Sequence, residues 1–308
     1  AGRHDHHIEL CRHNVFLLLI RIIRHRCLAL ALLGALALAG CSAIKFGYEQ
    51  GPSLVYWWLD GHFDFSDTQS TKVREALERL QRWHRQRELP LYADLLARAA
   101  TMAEGPIEAD QVCQMQREMQ QRLDALLQES IRQFSPVAAQ IEARQIRHMT
   151  KHLEQKNVKW EEQWLEGSSS ARLQKRLDRA ADRLADFYGS LTTTQTRLLR
   201  RQLEQSAWTP EWGRQERLRQ QRDLLGTLMR IQSESLSVKS TELALLGVWD
   251  RWLQPRAAGD RERWEDWVAQ GCQNLADLHN STSGEQRQRA ARRLRSYEKD
   301  LRELAGRS

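Results

Sequence analysis

Glycine and proline are scarce in this chain, 16 and 6 among 308 residues. Alternating β-branched runs bounded by hairpin turns are missing as well. Together these absences exclude a β-sandwich or barrel, which needs many short strands and frequent turn residues. The sequence also holds no Gly-x-Ser-x-Gly elbow, no glycine-rich phosphate loop, no Cys-x-x-Cys and no Gly-x-Gly-x-x-Gly. The common hydrolase, nucleotide-binding and redox classes therefore lose their usual markers. A strong excess of one charge is absent too. Formal charge is +7, and residues 41–308 carry only +4 of it, with 42 basic against 38 acidic side chains. That dispersed balance is not the footprint of a nucleic-acid-binding surface, and no nucleic-acid partner is expected. What dominates is Arg, Gln, Glu, Leu and Ala, all good helix formers.

The N-terminal stretch is the most informative. Arg21, Arg24, His25 and Arg26 precede an apolar run from Cys27 to Ala39. A basic region followed by a short apolar one is the layout of a secretory signal. At about 13 residues the run is too short to span a bilayer. Leu38-Ala39-Gly40-Cys41 closes it and resembles the lipobox of bacterial lipoproteins. The resemblance implies transfer of a diacylglyceryl group to the Cys41 thiol, cleavage before Cys41 and acylation of the new amine. Two or three acyl chains anchor a protein stably where one does not. Ser42 rather than Asp follows the cysteine, and by the sorting rule of such lipoproteins this implies the outer membrane, facing the periplasm. Residues 1–13 fit no signal peptide and are expected to be either translated sequence upstream of the true start or a fragment end.

Beyond the anchor, helix-start devices recur. Ser66–Gln69, Thr192–Gln195 and Thr282–Glu285 have capping-box form. Ser135-Pro136 and Thr209-Pro210-Glu211 place a cap residue before a proline at the first helical position. Apolar residues then step by three or four, as in Val112, Met115, Met119, Leu123 and Leu126. The pattern predicts an all-α fold, an irregular bundle of about 8–10 helices, starting near residues 68, 90, 108, 136, 170, 193, 210, 241, 260 and 284. Three regions follow: 1–40 as extension and signal, 41–65 as lipidated cysteine and aromatic tether, and 66–308 as one helical domain. The irregular spacing of the boxes reads as helix punctuation rather than as an internal repeat.

Phe46-Gly47-Tyr48, Tyr56-Trp57-Trp58-Leu59-Asp60, Asp64–Gln69, Trp83-His84-Arg85, Glu88-Leu89-Pro90, Lys156-Asn157, Trp160, Trp164-Leu165 and Trp208–Trp212 together resemble a family of uncharacterised proteobacterial lipoproteins, catalogued only as a domain of unknown function. The resemblance implies a lipoprotein with a helical fold and brings no activity or catalytic residue. Leu191-Thr192-Thr193-Thr194-Gln195 is similar to the Leu-Thr-x-x-Gln motif of periplasmic chaperones, helical proteins that bind unfolded clients.

Several residues are candidates for a site. Tyr56, Trp57 and Trp58 form either a contact patch near the membrane or a tether that fills a groove on the bundle. The pair Trp160/Trp164 lies on one helix face, and similar pairs recur at 208/212, 249/252 and 264/267; each could grip a glycan or client, or anchor helices in the core. His148 and His152 have zinc-ligand spacing but no accompanying glutamate, and read as surface histidines; no metal or cofactor is expected. Asp60, Asp64 and Asp67 lack the spacing of a calcium loop. Arg172, Arg176, Arg179 and Arg183, interleaved with aspartates, read as a solvated, ion-paired face. After lipidation of Cys41, Cys113 and Cys272 remain, either as a disulfide favoured by an oxidising compartment or as two buried thiols.

These features point to a lipid-anchored binding or assembly module of the cell envelope, with an envelope protein or peptidoglycan as partner. A holdase for envelope proteins and a helical peptidoglycan enzyme are the alternatives. Helical muramidases use acidic residues that no short motif marks, so a cleft holding a desolvated glutamate would favour the enzyme.

Overall fold

The computed structural model describes residues 44–253 and 258–307. Cys41 and its lipobox Leu38, Ala39 and Gly40 lie outside them. Two compact units are distinguished, 1–49 and 50–308. Of the first, residues 44–49 are helical. The second is all-α among the described residues, with eleven helices. They are α1 (Gly51–Phe63), α2 (Asp67–Trp83), α3 (Leu89–Met102), α4 (Ala109–Ala138), α5 (Ala143–Trp164), α6 (Ser169–Tyr188), α7 (Thr193–Glu204), α8 (Pro210–Ser233), α9 (Val238–Leu253), α10 (Ala258–Asn280) and α11 (Gly284–Ala305).

Three boundaries differ from the sequence pattern. The segment expected as a tether is helix α1, with Pro52 in its first turn, where a missing N–H costs nothing. The helical body thus begins at Gln50 rather than at residue 66. Pro136 does not start a helix but sits in the last turn of α4, where Ser135 is fully buried and bonds back to the Ile131 carbonyl. Helix α5 starts at Ala143 instead, capped where the Glu142 N–H donates to Gln145. Finally, α2 and α3 are not separated by a loop. A π-helical turn, His84–Glu88, joins them, with the Leu89 N–H donating to the His84 carbonyl. Pro90 offers no N–H and crowds the carbonyl four residues back, so one wider turn accommodates it.

The capping boxes join helices two by two. Gln69 and Gln145 occupy the third position of α2 and α5, and their amides bond each other reciprocally at 3.2 and 2.9 Å. Gln69 also donates to the Gln140 carbonyl, and Gln145 to the Asp64 carbonyl. Gln195 of α7 and Gln286 of α11 repeat the arrangement at 2.8 and 3.2 Å, with carbonyls of Ser281 and Ser190 as their further acceptors. In each pair the amide reaches the carbonyl five residues before the other glutamine. The last box is therefore Ser283–Gln286, one residue later than the pattern suggested.

Helix α3 packs lengthwise on α11, with Ala93 and Ala100 buried on the one and Ala291 and Leu304 on the other, and Ala103 just after α3 clusters with Ala290 and Ala291. Arg302–Asp94 (3.0 Å) and Arg295–Glu104 ion pairs flank that seam. At the opposite part of the body, Ile141, Ile146, Met149, Leu228, Ile231 and Ala244 form a core shared by α5, α8 and α9. Tyr56, Val73, Leu77 and Val137 form another, joining α1, α2 and α4. Cys113 of α4 and Cys272 of α10 are joined by a disulfide with Cα atoms 5.4 Å apart.

Candidate functional site

Between those two cores lies an apolar cleft of about 350 Å³. Helix α1 and the turn after it supply Leu59, Phe63 and Phe65; α4 supplies Leu127, Ile131 and Phe134; α8 and α9 add Leu224, Leu228 and Leu245. Several local features hold α1 over it. Asp64 takes a left-handed conformation (φ 50°) and ends the helix, while Asp60 accepts the Phe65 N–H at 3.1 Å. This sharp turn stacks Phe63 on Phe65 with ring centres 5.6 Å apart. Tyr56 is buried, donates to Ser70 at 3.0 Å and lies under the Arg74 guanidinium. Arg144 clasps the Asp64 carboxylate at 2.7 Å.

The polar groups at the cleft are already engaged. Gln69 and Gln145 bond each other, and Ser130 donates to the Leu126 carbonyl at 2.7 Å. An occupant bringing its own polar groups would leave them unpaired, at a cost of roughly 1–3 kcal/mol each. A hydrocarbon brings none. The void is more than twice the roughly 150 Å³ that stays dry and accepts benzene in an engineered core.

The sequence-derived patch divides. Tyr56 is a core residue, packed as the groove-filling alternative had it and not part of an exposed patch. Trp57 and Trp58 are 71% and 62% exposed on the outer side of α1. Trp160 and Trp164 are half-buried and stack at 6.1 Å, and Trp164 meets Trp208 edge-on at 5.5 Å. Arg179 lies over Trp164 and Arg176 over Trp208. The arginine row of α6 is therefore a cation–π seam in part, with Arg172 paired to Glu211, rather than a purely ion-paired face. Gly213 is needed there, because a Cβ would come within 2.8 Å of the Trp208 ring.

The structure gathers three histidines that the spacing alone did not. His62 of α1 packs on Trp58 (4.2 Å) and on His152 (4.3 Å), with His148 next along α5. His148 also meets the Gly61 carbonyl at 3.1 Å. Burial lowers the His152 pKa, and the neighbouring charges of His62, Lys156, His148 and Lys159 lower it further. No group of three His, Cys, Asp or Glu suited to a metal occurs among the described residues.

A desolvated glutamate is present, but not in the cleft. Glu88, in the π turn, is 3% exposed; burial raises its carboxyl pKa and Arg122, 3.9 Å away, lowers it. It does not line the apolar cleft. Sequence reasoning missed the cleft itself, whose walls come from α1, α2, α4, α5, α8, α9 and two connecting turns. The one available signal was Pro52 followed by apolar residues, which marks a helix start rather than a tether.

Comparison with known proteins gives one match. A family described as "Family of unknown function (DUF6279)" is matched over residues 61–246. Every residue of the cleft except Leu59 falls in that span. No curated protein and no solved structure matches the chain.

Proposed function

The chain belongs to that family of unknown function, and from this premise we propose that it is a lipid-anchored module of the bacterial envelope that acts by binding an apolar chain, not by catalysis. The supporting observation is the cleft under α1, whose walls are apolar and whose rim amides are tied to one another. A peptide segment carries an N–H and a C=O at every residue, and this cleft leaves them no partner. That favours a hydrocarbon chain over an unfolded client, and so ranks the holdase reading second. Lipidation of Cys41 and residence at the periplasmic face of the outer membrane complete the proposal. They rest on the signal layout and the lipobox.

Titration with a fluorescent polyene fatty acid tests the binding step. Saturable binding of one molecule per chain is expected, and Ala138→Phe, which fills the cleft, should abolish it while leaving the helical circular dichroism intact. Undiminished binding by the filled variant would remove the cleft from the argument. Turnover of peptidoglycan that is lost in Glu88→Gln would replace binding by catalysis.

A further inference from the structure

Helix α1 has a second side. Leu54, Val55, Trp57 and Trp58 are 60%, 43%, 71% and 62% exposed, on a helix whose inner side fills the core through Tyr56 and walls the cleft through Leu59 and Phe63. Exposed tryptophans are costly in water and suit the headgroup region of a bilayer. The surface beside them is cationic. Contact runs from Trp58 to His62 and on to His152. Along α5, His148, His152, Gln155, Lys156 and Lys159 share one helix face, flanked by Lys151, with one carboxylate, Glu162, a turn beyond Lys159. Lys156 and Lys159 are exposed and close enough to act on His152. Two carboxylates at the end of α1 are already engaged: Asp60 caps the Phe65 N–H, and Asp64 pairs with Arg144.

We propose that this combined surface, the outer side of α1 with the adjoining lysine and histidine stripe of α5, docks on an anionic phospholipid bilayer. Apolar and aromatic side chains would enter the interface while the ammonium groups meet lipid phosphates, the division of labour of interfacial helices. The chain order agrees with this. Only nine residues separate Cys41 from Gly51, ten positions apart, so α1 starts within about 35 Å of the anchoring position even if that stretch is fully extended. The inference rests on the envelope reading for its setting, but not on lipidation or on the cleft for its test.

Residues 50–308, which form one compact unit and lack Cys41, should co-sediment with phosphatidylglycerol-containing vesicles and much less with pure phosphatidylcholine. Trp57→Ala/Trp58→Ala should weaken that binding about tenfold or more. Lys156→Glu/Lys159→Glu should erase the preference for the anionic vesicle and its salt sensitivity. Both variants alter exposed positions, and unchanged thermal melting would confirm that they fold. Fatty-acid titration of the same variants separates the two proposals, since cleft binding should survive both changes. Equal binding to both vesicle types, or vesicle binding that survives the tryptophan change, overturns the inference. So does suppression of client aggregation that depends on Trp57 and Trp58 while vesicle binding does not, which would assign the surface to proteins.

Discussion

His279 shows how a neutral imidazole can be specified by its neighbours. It is 1% exposed, with Nε2 2.8 Å from the Gly105 carbonyl and Nδ1 2.9 Å from the Tyr188 hydroxyl. A carbonyl only accepts, so Nε2 carries the proton and Nδ1 accepts from the phenol. Burial is the largest influence and lowers the His279 pKa; the Gly105 bond opposes it and Arg287 adds to it. The same burial pushes Tyr188 up to about 12, which keeps the phenol protonated as the donor. His84 and His152 are likewise lowered by burial. In the unfolded chain these rings take protons near the ordinary value of 6.5, before the folded ones do. The unfolded state then binds more protons, so stability falls as pH drops below that value. Urea unfolding should therefore show a loss between pH 7.5 and 5.5, and His279→Gln should make that loss shallower. Glu88, whose carboxyl is raised, works in the opposite direction. A free energy flat across it would show that these rings titrate alike in both states. None of this was legible beforehand, because a histidine in sequence carries no sign of the Tyr188 and Gly105 groups that enclose it.

At the scale of elements, two capping glutamines that close their own helix starts also tie two helices together. Removing one takes from the other its side-chain partner and leaves it only its backbone bonds, at sites 5% (Gln69) and 1% (Gln145) exposed. Gln69→Ala and Gln145→Ala should each cost about 1–3 kcal/mol. The double variant should cost clearly less than the sum, because the reciprocal bonds are already lost with the first change. Additivity to within about 0.3 kcal/mol in a double-mutant cycle would show the reciprocal bonds contribute nothing jointly. The individual boxes at Ser66 and Thr192 were legible, since they depend on residues three apart. Their pairing was not, because the partners lie 76 and 91 positions away. The one-residue misreading at Thr282 has the same origin. Thr282–Glu285 and Ser283–Gln286 both have acceptable form, and the choice between them is made by Gln195, across the fold. Helix α1 was hidden for a different reason: Gly51 and Gly61 lower its local propensity, and its docking on α2 and α5 compensates.

At the scale of the whole chain, the family match ends at residue 246, and the disulfide reaches beyond it. Cys113 lies on α4, inside the matched span, and Cys272 on α10, outside it, so the bond closes a segment 159 residues apart in sequence. Loop-closure arguments give such a long cross-link several kcal/mol of stabilisation, and removal of a native bond typically costs about 2–5 kcal/mol. The cleft should be nearly indifferent to that loss. None of its walls comes from α10, and on α4 the nearest lining residue, Leu127, is fourteen positions from Cys113, about 21 Å along the helix axis. Replacing both cysteines by alanine should therefore lower the unfolding free energy by that amount while fatty-acid affinity changes less than about threefold, a difference of under about 1 kcal/mol. The two readouts separate a bond that supports the fold from one that shapes the site. If exported protein instead presents both thiols to alkylation without reductant, the bond is not formed in the cell. If affinity falls in step with stability, α10 is part of the binding body, and the cleft extends past the span that the family shares.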